Sequence, residues 1–270
     1  MGKIISISNQ KGGVAKTTTA VNLAASLAAA ERKTLLVDLD PQANASSGVG
    51  IFKNEKSKSV YDIILGRSEF SEVLAKTELY FLDVIPANQD LIGVEIEYVN
   101  QENREHLLKQ VLTHVSGDYE FILLDCPPSL GLLTINSLTA CNSVLIPLQC
   151  EYYALEGLSS LLETLEMVKN SLNPDLGIEG ILLTMFDVRN KLCKQVVDDV
   201  NKHFNNLVFK EIIPRNVRLS ESPSHGKPIL LYDVHSSGAQ SYMRLAKEFL
   251  DRQKKRPKAS PIPVEKAYGS

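Results

Sequence analysis

Lys11, Lys16, Thr17 and Thr18 share one stretch, Gln10-Lys11-Gly12-Gly13-Val14-Ala15-Lys16-Thr17-Thr18, set between the apolar run Ile4-Ile5-Ser6-Ile7 and an Ala-rich helical pattern. Strand, glycine turn and helix make a cradle for phosphate. Backbone N–H groups freed by the Gly12-Gly13 turn and by the first helical turn point into one concavity, where the helix dipole also favours negative charge. Lys16 is then placed to neutralise the β- and γ-phosphates of a nucleotide, and Thr17 to offer its hydroxyl to Mg²⁺.

Two further segments supply carboxylates. Thr34-Leu35-Leu36-Val37 runs into Asp38-Leu39-Asp40-Pro41-Gln42-Ala43-Asn44, and a period of two puts Asp38 and Asp40 on the same side of the strand end. Carboxylates at the C-terminal edge of a strand beside a phosphate loop are placed for Mg²⁺ or water, because ligands of open parallel sheets bind outside those ends. The other reading is that one aspartate, Asp38 before Asp40, caps the helix that follows. Phe121-Ile122-Leu123-Leu124-Asp125 is a second apolar strand ending in aspartate, able to hold the hydration shell of Mg²⁺. Such a strand carries little information alone and much more when coupled to the phosphate loop.

The elements that must position these groups alternate in type. Lys16 to about Ala30 reads as a buried helix. Residues 45–58 read as a mobile connection, and Ser59–Gly66 and Glu69–Lys76 as short helices capped by Ser59 and Ser68. Leu79–Ile85 reads as a strand, Leu91–Val115 as one long helix, and Ser143–Leu148 as a buried strand. A helix from about Leu155 to Asn170, a strand over Ile178–Phe186, a helix over Leu192–Phe204 and a last strand over Val208–Ile213 complete the series. This alternation predicts an α/β fold, a mostly parallel twisted sheet flanked by helices on both faces. From Ser236 to Arg252, Ala239, Tyr242, Met243, Leu245, Ala246, Phe249 and Leu250 mark a final amphipathic helix.

A chain of 270 residues, 44% hydrophobic and 23% charged, has the composition of a soluble globular protein with one α/β domain. No apolar run approaches the ~18 residues of a membrane span, and the start lacks a signal-peptide pattern; the expected location is the cytosol. Cys126, Cys141, Cys150 and Cys193 have no metal-ligand spacing and read as buried reduced thiols. A net charge of −3 excludes a uniformly basic nucleic-acid binder, so any DNA contact requires a local patch.

Gln10 and Ala15 occupy both glycine places of the common GxxxxGK[ST] pattern. What remains, Lys-Gly-Gly-x-x-Lys-Thr-Thr, resembles the deviant Walker A motif, in which Lys11 is the extra lysine. Asp38-Leu39-Asp40-Pro41, Asp125-Cys126-Pro127-Pro128-Ser129-Leu130-Gly131, Gln149 through Gly157 and the segment Ile213 through Ile229 extend the likeness. Together they resemble the ParA/Soj partition ATPases, over about residues 2–251. The resemblance implies a P-loop ATPase domain over residues 1–252. It implies that ATP and Mg²⁺ drive a sandwich dimer, that the dimer binds double-stranded DNA without sequence preference, and that a ParB/Spo0J-type protein stimulates hydrolysis.

Carried onto this chain, Lys11 reaches the partner's nucleotide and Lys16 grips its own. Gly12, Gly13, Val14, Ala15, Thr17 and Thr18 line the phosphates. Asp40 orients the attacking water and, with Thr17 and Asp125, lies at the metal. Pro214 and Asn216 are expected at the adenine, with Met185 closing the same pocket or serving the core. Arg189 and Arg218 match the family's DNA-contacting positions and suit phosphate contacts; Lys191, Lys194 and Lys202 read as solvated charges. Ala15 departs from the family's glycine: if its φ is positive it costs about 1 kcal/mol, and nucleotide binding is expected to survive. Residues 253–270 are expected to form a basic, disordered tail. The alternatives are a MinD-like membrane-associated positioning ATPase, which needs a terminal anchoring helix, and an iron–sulfur protein of the same fold.

Overall fold

In the computed structural model, which describes residues 2–52, 58–255 and 259–263, the apolar runs pair into one sheet. Its strands are β1 (Lys3–Ile7), β2 (Thr34–Asp38), β3 (Ala75–Lys76), β4 (Leu82–Ile85), β5 (Phe121–Asp125), β6 (Ser143–Gln149) and β7 (Gly177–Thr184), in the order β3-β4-β2-β5-β1-β6-β7. All neighbours are parallel except β3, which runs antiparallel to β4. Near-continuous Ile, Leu and Val suit strands buried on both faces, and every residue of β2, β4 and β5 is buried.

The helices are α1 (Lys16–Ala29), α2 (Asn44–Gly48), α3 (Val60–Ile64), α4 (Phe70–Val73), α5 (Ile92–Glu97), α6 (Leu107–Val115), α7 (Leu132–Ala140), α8 (Ala154–Ser171), α9 (Lys191–Phe204), α10 (Val217–Glu221), α11 (Ile229–Tyr232) and α12 (Ser237–Lys255). One core joins the sheet to helices α3 to α9. The other, on the opposite face, joins it to α1, α2 and α10 to α12. The expected two-faced α/β architecture is present, and α12 spends its apolar stripe, Tyr242, Leu245 and Phe249, on the core.

Several local expectations are corrected. The long helix over 91–115 is broken: α5 ends at Glu97, Asn103 turns left-handed at φ 58°, and α6 restarts at Leu107. Glu69, not Ser68, caps α4, and its predicted end, Ala75-Lys76, is strand β3. The expected strand over 208–213 is not a full strand: it meets β7 through one isolated bridge, Val208 to Ile181, and a second bridge, Pro214 to Phe186, follows beyond the end of both segments. The final helix, expected to end at Arg252, runs on to Lys255 as α12. Within the predicted tail, Ser260 pairs antiparallel with Ile178 through two backbone hydrogen bonds, and Ile262 is buried. Residues 256–258 and 264–270 of that tail lie outside the described residues, as do 53–57 of the predicted connection.

Candidate nucleotide site

The loop from Ser8 to Ala15 leaves β1 at the C-terminal edge of the sheet, beside the ends of β5 and β6. Two left-handed residues shape it, Gly13 at φ 75° and Ala15 at φ 68°, ψ 34°. A side chain bearing Cβ therefore stands where glycine is the easy residue, and the conditional cost raised by the sequence applies. The loop is pinned from several sides. Asn9 accepts the Lys11 N–H at 3.0 Å and donates to the Pro147 carbonyl, while the Thr184 hydroxyl donates to the Val14 carbonyl at 3.1 Å. Lys11, Gly12 and Gly13 are exposed, whereas Val14 and Lys16 are buried.

Lys16 folds its ammonium back into this loop and donates to the Lys11 carbonyl at 2.9 Å. Burial pushes its pKa below the usual lysine range, and the charges of Asp125, Cys126 and Asp40 oppose that shift. It is thus a desolvated cation beside carboxylates, at the positive end of α1. Thr17 and Thr18 open the helix, and the Thr18 carbonyl accepts the Asn22 amide at 2.8 Å.

Asp38 and Asp125 are register partners at the adjacent ends of β2 and β5. Burial, then the Asp38 charge, push the Asp125 carboxyl well above the carboxylate range; the Thr17 hydroxyl and Lys16 pull it down. Among the described residues neither Asp125 oxygen has a partner of hydrogen-bonding geometry. An orphaned buried carboxylate is costly unless something cationic or a water shell meets it, so the donor set of Asp125 and the Thr17 hydroxyl fits a hydrated divalent cation. Among the described residues no cluster of three or more His, Cys, Asp or Glu could hold a metal unaided. A cation here therefore needs phosphate oxygens and water to fill its shell.

Ala43, not an aspartate, stands at the N-cap of α2, and Asp38 instead anchors Ser46 in that helix's first turn. The Asp38 carboxylate accepts the Ser46 N–H at 2.8 Å, the Ser46 hydroxyl at 2.7 Å and the Asp40 N–H at 3.1 Å. Burial raises its pKa to about 6 against those bonds. The Ser46 hydroxyl in turn accepts the Ala87 N–H at 3.1 Å, tying α2 to the exit of β4. Asp40 lies half-buried on the loop between, accepting the Gln42 N–H at 2.9 Å. Sequence reasoning missed Ser46, whose signal is weak within a run of Ser, Asn and Gly. It also missed α2 itself.

Lys11 forms an ion pair with Glu151 of the same chain, just beyond β6. Next to it Tyr152 and Tyr153 stack edge to face at 5.0 Å and are 75% and 64% exposed. Leu130, beyond Asp125, is exposed as well. This edge of the sheet is thus apolar around a charged loop.

The bridge between Phe186 and Pro214 brings the remaining predicted residues together. Phe186 N–H bonds the Ile213 carbonyl at 3.1 Å, and Arg215 N–H the Phe186 carbonyl at 3.0 Å, so Met185 and Pro214 flank one junction. Met185 is left-handed at φ 52° and half-buried. Asn216 caps α10: its carbonyl accepts the Leu219 N–H at 3.2 Å and its amide donates to Ser237 at 2.7 Å. Arg189 and Arg218 are both exposed beyond that junction. Arg189 is chelated by Asp187 at 2.9 and 2.7 Å, which holds the Asp187 pKa at about 2, and Arg218 pairs with Glu221 at 2.9 Å. Val188 and Val217, beside them, are exposed too. All four cysteines are buried and free.

Known proteins share this sequence and this fold. The family model described as an AAA domain matches residues 2–178. The chromosome partitioning protein ParA of Myxococcus xanthus is 58% identical over 252 residues, covering 93% of this chain and 89% of that protein. The sporulation initiation inhibitor protein Soj of Bacillus subtilis is also 58% identical, over 92% of this chain and 98% of that one. Among solved structures, a protein described as cobyrinic acid a,c-diamide synthase of Mycobacterium smegmatis, with bound ADP and magnesium, superposes with a TM-score of 0.82. It is 36% identical, with 98% of this chain and all of that chain covered.

Proposed function

We propose that this chain, which belongs to the ParA/Soj family of chromosome-partitioning ATPases, couples ATP hydrolysis to a reversible hold on DNA. The observation that carries this reading is the buried Lys16 ammonium at the mouth of α1, facing the unpartnered Asp125. Such a pair suits a polyanion and its counter-cation and little else.

In this reading ATP lies with its phosphates in the loop 11–18. Lys16 and the N–H groups of the loop bind the β- and γ-phosphates, and Thr17 and Asp125 hold Mg²⁺, whose charge offsets that developing on the transferred phosphoryl group. Asp40, on the loop beyond the Asp38 anchor, orients the attacking water. Pro214 and Met185 border the adenine, and Asn216 keeps its capping role while lining that pocket.

The site is electrostatically incomplete in one copy, because Lys11 is held by Glu151 at the surface. The exposed Tyr152, Tyr153 and Leu130 beside it support apposition of a second copy at this edge, with Lys11 transferred to the partner's nucleotide. Turnover is slow until that cation and a ParB-type protein complete the site. Arg189 and Arg218 then contact backbone phosphates of duplex DNA, a hold that gives affinity without sequence, and the protein is nucleoid-associated while ATP is intact.

Sizing the protein with ADP and with ATP, each with and without non-specific duplex, tests this. The expected result is a dimer with Mg-ATP alone and a larger, salt-sensitive complex when duplex is added. A monomer under saturating non-hydrolysable nucleotide, indifferent to duplex, would overturn the reading.

A further inference from the structure

Thr184 closes β7, two strands away from the strand that carries the phosphate loop, yet it touches that loop. The sheet order places β7 beyond β6 on one side of β1, and β5, which ends in Asp125, on the other. Thr184 is fully buried, and its hydroxyl donates to the Val14 carbonyl at 3.1 Å. A β-branched side chain has little freedom at χ1, so this hydroxyl is a fixed point. The Thr184 carbonyl accepts the Cys150 N–H at 3.3 Å, which ties the same residue to the exit of β6.

That bond settles which way one peptide faces. In a planar trans peptide the C=O and the N–H that follows it point in opposite directions. With the Val14 carbonyl turned toward the end of β7, the Ala15 N–H is turned toward the β5 side, where Asp125 and the first turn of α1 stand. The peptide is also one that needs holding. Ala15 is left-handed at φ 68°, and Met185, the residue after Thr184, is left-handed at φ 52°. Residues strained in this way persist only where their surroundings over-determine them, and the bond between Thr184 and Val14 joins the neighbours of both.

We propose that Thr184 is a positioning residue of the ATPase: its hydroxyl holds the peptide between Val14 and Ala15 so that the Ala15 N–H is presented to a nucleotide phosphate before the nucleotide arrives. Thr184 touches no reacting atom and acts through Ala15. The inference rests on the placement of the phosphates in the loop 11–18. A donor oriented in advance spares binding the cost of turning a peptide. The same clamp accounts for an alanine serving where glycine is the easy residue, because the hydroxyl fixes from outside a turn that the Cβ disfavours.

The test uses the full-length protein and three substitutions. Thr184→Val removes the donor at constant shape, Thr184→Ala removes it with less bulk, and Thr184→Ser keeps it. Mg-ADP is titrated by calorimetry, KM and kcat are measured for ATP, and the Ala15 amide is followed by NMR in protein carrying isotope-labelled alanine, its peak assigned by its loss in Ala15→Gly. Wild type and Thr184→Ser are expected to show a downfield shift of that amide when Mg-ADP binds. Thr184→Val and Thr184→Ala lose the shift and bind Mg-ADP about tenfold more weakly. Their KM rises by a similar factor with kcat within about twofold, as for a contact made alike in the ground and transition states. Adding Ala15→Gly to Thr184→Val recovers part of the affinity, because glycine takes the left-handed turn without strain. A hydroxyl that serves the fold alone lowers Tm and leaves the amide shift, affinity and KM where they were; that result overturns the proposal, as does a Thr184→Ser variant no better than Thr184→Val. A wild-type Ala15 amide that ignores Mg-ADP, while calorimetry shows binding, overturns the phosphate placement together with the proposal, and is told apart by appearing without any substitution.

Discussion

Ala15 offers a measurement of strain built into the phosphate loop. Its backbone sits at φ 68°, ψ 34°, a conformation that costs a Cβ-bearing residue roughly 1–2 kcal/mol. Replacement by glycine removes that cost but frees the unfolded chain, which returns about 0.4–1 kcal/mol. The net expectation for Ala15→Gly is a gain of about 0.5–1 kcal/mol, or ~2 °C in Tm for a chain of this size. Gly13, at φ 75° with nothing within 4 Å of the point a Cβ would occupy, is the reciprocal case: Gly13→Ala should lose a similar amount through the backbone alone. Because the strained turn exists before nucleotide arrives, it is common to the free and bound states. Affinity for Mg-ATP should then change by less than about threefold. Calorimetric melting of both variants, with ATP titration calorimetry, decides the matter. An unchanged or lower Tm for Ala15→Gly would refute the strain argument; a tenfold gain in affinity would show instead that the Cβ obstructs the phosphates.

Asp40→Ala should abolish turnover and leave ATP-dependent dimers intact; undiminished phosphate release would remove Asp40 from catalysis. Asp125→Asn relieves a carboxylate driven far from its usual pKa by burial, so the nucleotide-free protein should melt a few degrees higher at neutral pH, as ~1 kcal/mol implies. Its magnesium-dependent nucleotide affinity should fall, and if affinity holds, the metal role is wrong. Asp38 binds its proton more tightly folded, at about 6, than an ordinary aspartate carboxyl does at 3.8. Its contribution to stability is therefore lowest at neutral pH, rises as pH falls through 6 and levels off below the ordinary carboxylate value. Denaturant melts across that range should show the rise, and Asp38→Asn should flatten it. Glu151→Gln frees Lys11 and should lower the protein concentration needed for the ATP dimer, as read by sedimentation; a weaker dimer would place Glu151 on the favourable side of the interface.

The phosphate loop and the two aspartate strands were legible because their information is local: glycines, a lysine and a carboxylate at fixed distances from apolar runs. What stayed hidden depends on partners far along the chain. Helix α2 is short and, Ala45 apart, made of the poor helix formers Asn, Ser and Gly, which hold a helix here because Ser46 is anchored on Asp38. Helix α7 buries residues all round, from Leu133 and Thr134 to Ser137 and Leu138, so it has no stripe to find. The break after α5 is set by Asn103 in the left-handed region, a conformation that asparagine permits but does not announce. The residues 259–263 carry no strand pattern, yet Gly177 lets them lie close: a Cβ there would stand 2.6 Å from that of Ala259.

The same distinction governs the site. Sequence names Lys11 but not what holds it, and the holder sets how readily it moves. Lys11 and Glu151 are 43% and 33% exposed in their side chains, so their pair is worth about 0–1 kcal/mol. A charge-assisted bond to a phosphate in a closed interface is worth about 1.5–3 kcal/mol. In the proposed dimer the triphosphate of a second copy would therefore win this lysine, by a margin small enough that losing the γ-phosphate would return it to Glu151. A switch with such small differences would turn on nucleotide state without needing a large rearrangement of the sheet, whose central strands β2 and β5 are buried along their whole length and paired with each other.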